Sequence, residues 1–162
     1  MTETDPRPFV RAPGEGLTLD APVGAVTYRA RGEETGGALT AIQTVAGPGE
    51  GPPLHLHAAD DEFIYVLEGR LRIRVDEDDH DAPTGSFVFI PKNVPHTWQA
   101  AGEGNTRFLF GFAPASPGME RFFERSADVS ADTRLADGFG RFAGDAGMEV
   151  LGPPLAQSEP KR

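Results

Sequence analysis

Short β-favouring runs, each closed by glycine or proline, recur along most of this chain. They fall at 17–20, 24–31, 38–46, 53–58, 61–68, 70–76, 86–90, 95–100 and 105–113, with no helical periodicity of any length between them. With 20 glycines and 15 prolines as punctuation, each run stops before a longer element can propagate. Even spacing of this kind predicts an all-β fold, an antiparallel sandwich or barrel.

Alternation sharpens the reading in two places. In Arg70-Leu71-Arg72-Ile73-Arg74-Val75 the arginines share one face and the aliphatic residues the other. The arginine face reads as solvated, its charge offset by the acidic stretch DEDDHDA, taken as a turn in which His80 meets water. The run Ser86-Phe87-Val88-Phe89-Ile90 is apolar almost throughout and predicts a strand covered on both faces. Helix signals begin only after residue 115. Ser116 can cap a helix with Pro117 in its first turn, and Met119, Phe122 and Phe123 form one apolar face. A weaker helix is expected from about Ser130, through Leu135, Phe139 and Phe142, with Gly147 at its end. These stripes read as packing against the barrel.

A chain of 162 residues has the length of one domain. Residues 1–16 predict an extended N-terminal arm suited to packing on a partner subunit, 17–115 the barrel, 116–151 a helical segment packed on it, and 152–162 an irregular tail docking at most through Leu155. The formal net charge of −10 argues against nucleic acid or an anionic membrane as partner, since both need clustered Lys and Arg. Solubility is its simplest account. Without cysteine, disulfides and thiolate metal sites are excluded. The first 16 residues lack the apolar core of a signal peptide, and no apolar run approaches a membrane span, so a cytoplasmic location is expected.

Three of the four histidines fall in one constellation. His55 and His57 project from the same side of a strand, about 7 Å apart at the backbone. Glu62 opens the next apolar strand after a short polar turn, and His96 follows the turn-like segment Pro91–Pro95. Three imidazoles and a carboxylate suit a borderline divalent ion and leave coordination positions open for chemistry. Asp60 and Asp61, beside them, read as hydrophilic turn positions.

These residues carry a resemblance. Gly49, five residues, His55-Leu56-His57, four residues, Glu62, six residues and Gly69 match the first cupin motif at every position. Gly85, five residues, Pro91, one residue, Asn93, two residues and His96 resemble the second. Asn93 stands where that family usually has glycine and Ala100 where it often has asparagine; asparagine tolerates a left-handed turn. The resemblance covers roughly 38–113 and implies a cupin double-stranded β-helix, or jelly-roll, barrel. Looser similarity to quercetin 2,3-dioxygenase-like single-domain cupins lies in PPLHLHAADDEFIYVLEG, MERFFE and GMEVLGPPL.

The resemblance implies one divalent transition metal ion (Fe, Mn, Co, Ni, Cu or Zn), which this donor set does not choose among. It also implies a small-molecule substrate with dioxygen, and a homodimer. Glu62 is the candidate catalytic residue, able to take a proton from a substrate hydroxyl. Period-2 reasoning places Ile64 and Val66 on the side of Glu62, and Trp98 on that of His96. With Phe110, from the same-side set Phe108, Phe110 and Phe112, they are the candidate substrate-binding residues. Three functions fit: a metal-dependent dioxygenase of flavonol-like or other polyphenolic molecules, an oxygen-independent cyclase or isomerase of aromatic polyketides, and a non-catalytic small-molecule-binding barrel.

Overall fold

Alternating burial along the strands sorts the chain into two facing sheets. The computed structural model describes residues 5–21, 24–128 and 142–155. Its strands are β1 (Thr18–Ala21), β2 (Gly24–Ala30), β3 (Thr40–Ala46), β4 (Pro53–His57), β5 (Asp61–Glu68), β6 (Arg70–Val75), β7 (Asp78–Pro83), β8 (Phe87–Ile90), β9 (His96–Ala100), β10 (Thr106–Ala113) and β11 (Met148–Pro154). One sheet has the order β1-β2-β3-β10-β5-β8 and the other β11-β4-β9-β6-β7, all neighbours being antiparallel. Ile42, Ile64, Val66 and Phe108 from the first sheet meet Leu71 and Ile73 from the second in a fully buried core. This is the jelly-roll barrel expected.

A helix, α1 (Pro117–Ala127), follows β10. It starts as the sequence predicts: Ser116 Oγ accepts a hydrogen bond from the Met119 amide at 3.3 Å, and Pro117 occupies the first turn. No helix among the described residues is long and apolar enough to cross a membrane.

Three expectations fail, each for a physical reason. DEDDHDA is not a turn: only Asp76-Glu77 turns, with Asp76 at φ 56, and Asp78–Pro83 form β7 paired with β6. Ala82 alone on that strand is buried, so its composition hides it. It is held instead by cross-strand charge: Arg72 and Arg74 pair with Asp79 at 2.7 and 2.6 Å, and Arg70 with Asp81 at 3.4 Å. Likewise Gly152–Pro154 are not irregular, and the expected tail beyond Leu155 lies outside the described residues. Gly147, at φ 70, turns the backbone so that Met148–Pro154 run as an edge strand along β4, where prolines leave no ladder bond unmade. Third, β8 is not covered on both faces, because Phe87 and Phe89 are 64% and 57% exposed. The helix expected from Ser130 lies outside the described residues apart from its end, where Gly144–Ala146 make a 3-10 turn. The described arm residues lie on the chain's own barrel: Arg29 donates to the carbonyls of Arg11, Ala12 and Glu15.

What fixes α1 over the barrel is a buried carboxylate. Glu120 accepts from the Gly32 amide and the Thr40 hydroxyl, both at 2.7 Å, and from Arg31 Nε at 3.3 Å. Arg31 reaches on to Glu124, and Tyr28 Oη donates to the Glu120 carbonyl at 2.7 Å. Removing one member strands the others without water. Glu120→Ala is therefore expected to cost about 2–4 kcal/mol in denaturant unfolding; a loss under about 0.5 kcal/mol would show that apolar packing alone seats the helix.

Candidate metal centre

β4 supplies two imidazoles because i and i+2 on a strand face one way. His55 and His57 both point inward and are buried. His96 opens β9 directly opposite His55. Its approach is set by the preceding turn, in which Asn93 adopts φ 65, the left-handed conformation expected of it, and donates its amide to the His57 carbonyl at 2.7 Å. Glu62 comes from the other sheet, between Phe112 of β10 and Ile90 of β8. The two sheets thus bring together all four residues that the sequence singled out, with their donor atoms within 4.8 Å of one another.

The tautomers are largely fixed. A carbonyl only accepts, so His55 Nδ1–H donates to Pro53 O at 2.7 Å and His96 Nδ1–H to Val94 O at 2.9 Å. Each ring then turns Nε2 toward the cluster, the outer-sphere arrangement that orients metal-binding imidazoles. Glu62 Oε2 lies 2.7 Å from His96 Nε2 and 3.2 Å from His57 Nε2. Burial pushes the Glu62 carboxyl upward, but the charges and hydrogen bonds of His96 and His57 outweigh it and hold the group below the ordinary carboxylate range. Burial, reinforced by His96 and His57, drives His55 down to about 3, so its ring is neutral at ordinary pH. Burial also opposes charge on His96, yet Glu62 and the Val94 carbonyl raise it overall.

Such a cluster fits a divalent cation. Burying three imidazoles around one carboxylate is costly unless positive charge sits among them, as a proton or as a metal ion. Three nitrogens and one oxygen are borderline donors suited to first-row ions. Two further buried atoms, His57 Nδ1 and Asp60 Oδ2, have no hydrogen-bond partner among the described residues. Asp60 is therefore no solvated turn position; burial raises its carboxyl above the usual range. Asp61, by contrast, caps the turn before β9 by accepting from the Lys92 amide at 2.9 Å.

A cavity opens beside the cluster. His55, His57 and Glu62 form its polar end; its walls are Val26, Thr44, Pro52, Trp98, Phe110, Phe112, Met119, Phe122, Phe123 and Met148. Trp98 and Phe110 stand where alternation put them. Ile64 and Val66 also point inward but are wholly buried in the core and are not among the residues lining the cavity. The helix face read as plain packing, Met119, Phe122 and Phe123, is a wall, and Met148 joins it from β11. Helical spacing marks an apolar face but not whether the space opposite is filled.

Replacing His57 with alanine is expected to cut the metal content of purified protein sharply, measured by elemental analysis beside the parent. A full complement of tightly held metal in that variant would refute the ligand set.

Residues 43–112 match the cupin domain family model. The chain is 31% identical over 70 residues to polyketide synthase CurC of Streptomyces cyaneus, covering 43% of this chain and 46% of that protein. It is 29% identical over 92 residues to quercetin 2,3-dioxygenase of Bacillus subtilis, covering 57% of this chain and 27% of that protein. These matches span less than two thirds of the relatives' own lengths. Among solved structures, KdgF from Halomonas sp. superposes with a TM-score of 0.62 at 18% identity, over 70% of this chain and 99% of that one, a likeness of fold alone. Motif spacing, the family match over residues 43–112 and the barrel all point the same way, to a cupin domain.

Proposed function

We propose that the chain is a metal-dependent dioxygenase of the quercetinase-like type, oxidising a flat enolic or phenolic small molecule. One observation carries this reading. Glu62 both touches two imidazoles of the cluster and lines a cavity half of whose other wall residues are aromatic. The likeness to Bacillus quercetin 2,3-dioxygenase supports it.

In this proposal His55, His57 and His96 hold the ion, with Glu62 as fourth ligand. When bound, the ion supplies Lewis acidity toward a substrate oxygen and the electronic means of engaging dioxygen. The chain's own groups bind, orient and deprotonate. Glu62 accepts the proton of a substrate hydroxyl. With His57 and His96 serving as neutral ligands, the two influences that hold Glu62 down are withdrawn. Burial is left pushing its proton affinity up against the charge of the ion. Trp98, Phe110, Phe112, Phe122 and Phe123 orient a planar body by ring contacts and exclude water. Thr44 adds one polar point on that wall: its hydroxyl donates to the Ala25 carbonyl at 2.8 Å, which leaves its oxygen able to accept from a substrate hydroxyl.

The likeness to CurC favours a second reading, an oxygen-independent cyclase or isomerase of aromatic polyketides that uses the same cavity and the same base. An oxygen electrode separates them. Mixing the metal-loaded protein with quercetin is expected to give oxygen uptake that a chelator abolishes and Fe, Mn, Co or Ni restores. Uptake with no enolic or catecholic compound would sink the dioxygenase reading, and product formed under strict anaerobiosis would favour the second. Glu62→Gln is expected to slow turnover by about 100-fold or more, a larger effect than its loss of folding stability; unchanged turnover would remove Glu62 from the chemistry.

A further inference from the structure

Two buried polar atoms, Nδ1 of His57 and Oδ2 of Asp60, lack a hydrogen-bond partner, and no other buried side-chain nitrogen or oxygen among the described residues does. Their chemistry is complementary. His57 Nε2 is committed to the cluster, 3.2 Å from Glu62 Oε2. With a cation on that nitrogen, the neutral ring carries its proton on Nδ1, which makes Nδ1 a donor, whereas a carboxylate oxygen only accepts. His55 and His96 deliver their Nδ1–H to the carbonyl two residues upstream, Pro53 and Val94. No carbonyl serves His57 in this way. His57 and Asp60 are 3% and 4% exposed, so bulk water serves neither. Burial aside, the His57 ring acts on the Asp60 carboxyl more strongly than any other charge, and the Ser116 hydroxyl meets the same carboxyl from the side of α1.

We propose that Asp60 is the positioning residue of His57, its Oδ2 accepting the Nδ1 proton of that ring directly or across one buried water. The bond fixes the tautomer that presents the Nε2 lone pair to a cation. It holds the plane of the ring, and it sets negative charge behind the imidazole, which makes Nε2 a stronger donor to the ion. It also accounts for an acidic side chain buried in a turn whose composition reads as solvated. A carboxylate there is costly without a partner, and the ring N–H offsets that cost. The neighbouring Asp61 is spent differently, on the Lys92 amide, so the two adjacent acids are not interchangeable. The assignment rests on the ligand set and not on the reaction, so it holds for either reading of the function.

Zinc uptake by the metal-free full chain, measured against a competing chelator, tests this. Asp60→Ala is expected to weaken zinc binding by about 10-fold or more. Asp60→Asn keeps an acceptor oxygen without the charge and is expected to recover part of that loss. Ring-nitrogen NMR of the zinc-loaded protein adds a readout that a merely structural role does not move. The His57 Nδ1–H is expected to exchange slowly with water in the parent, to move upfield in Asp60→Asn and to be lost to exchange in Asp60→Ala. The corresponding signals of His55 and His96 are expected to persist throughout. Parent-like zinc affinity in Asp60→Ala, equal weakening by both variants, or a His57 ring proton unmoved in Asp60→Asn would each overturn the assignment. The second of these would leave Asp60 as a nearby charge only. A parent that takes up no zinc would remove the ligand set, and this role with it. If Asp60→Ala does not fold, the ring proton in Asp60→Asn decides alone.

Discussion

The rest of the site depends on a carboxylate buried against imidazole. Glu62 is almost wholly removed from water, and its Oε2 sits between His96 and His57, each contributed by the opposite sheet. An ionised carboxylate in an apolar barrel is tolerated only where opposite charge and hydrogen bonds meet it. Those partners exist because β4 pairs with β9 at the level of His55 and His96, and because the sheets face each other closely enough for β5 to reach across. Shift either register by one residue and these side chains turn outward. The barrel is thus specified from two sides, by its hydrophobic pattern and by the need to keep this polar cluster matched.

Much of this could be read from sequence because a cluster that needs fixed spacing leaves a fixed spacing behind. His55 and His57 announce a strand face; Asn93 announces the left-handed turn it adopts; Ser116 and Pro117 announce a helix start. The failures are equally physical. β7 has five of six residues facing water and is held by Arg–Asp pairs, which no hydrophobic periodicity reports. β11 is glycine- and proline-rich, as an edge strand can be when its outer side makes no ladder bonds. The wall residues Met119, Phe122, Phe123 and Met148 were visible as apolar, but apolar side chains look alike in sequence whether they fill a core or face a cavity. β8 misled in the other direction, since a run of apolar residues promises cover without saying whose surface provides it.

The cavity divides its labour along its length. At one end lie titratable groups whose charge states are interdependent; along the rest lie rings and thioethers with no charge at all. Such a gradient favours a ligand with one polar, ionisable head and a broad apolar body, and it disfavours small highly charged acids, which find no cation among the described lining residues beyond the cluster.

One feature of α1 reaches further. The four candidate ligands lie between residues 55 and 96, inside the stretch that matches the cupin family, whereas α1 and Met148, which wall part of the cavity, come after residue 112. The helix is fastened to the barrel by Glu120, whose contacts to Gly32, Thr40 and Arg31 include none of the ligands. The cluster and part of the cavity wall therefore come from separate stretches of the chain, while Thr44, Trp98, Phe110 and Phe112 wall the cavity from within the matched stretch. A change in that C-terminal cover would reshape the wall of the cavity it supplies and leave the four-residue cluster in place.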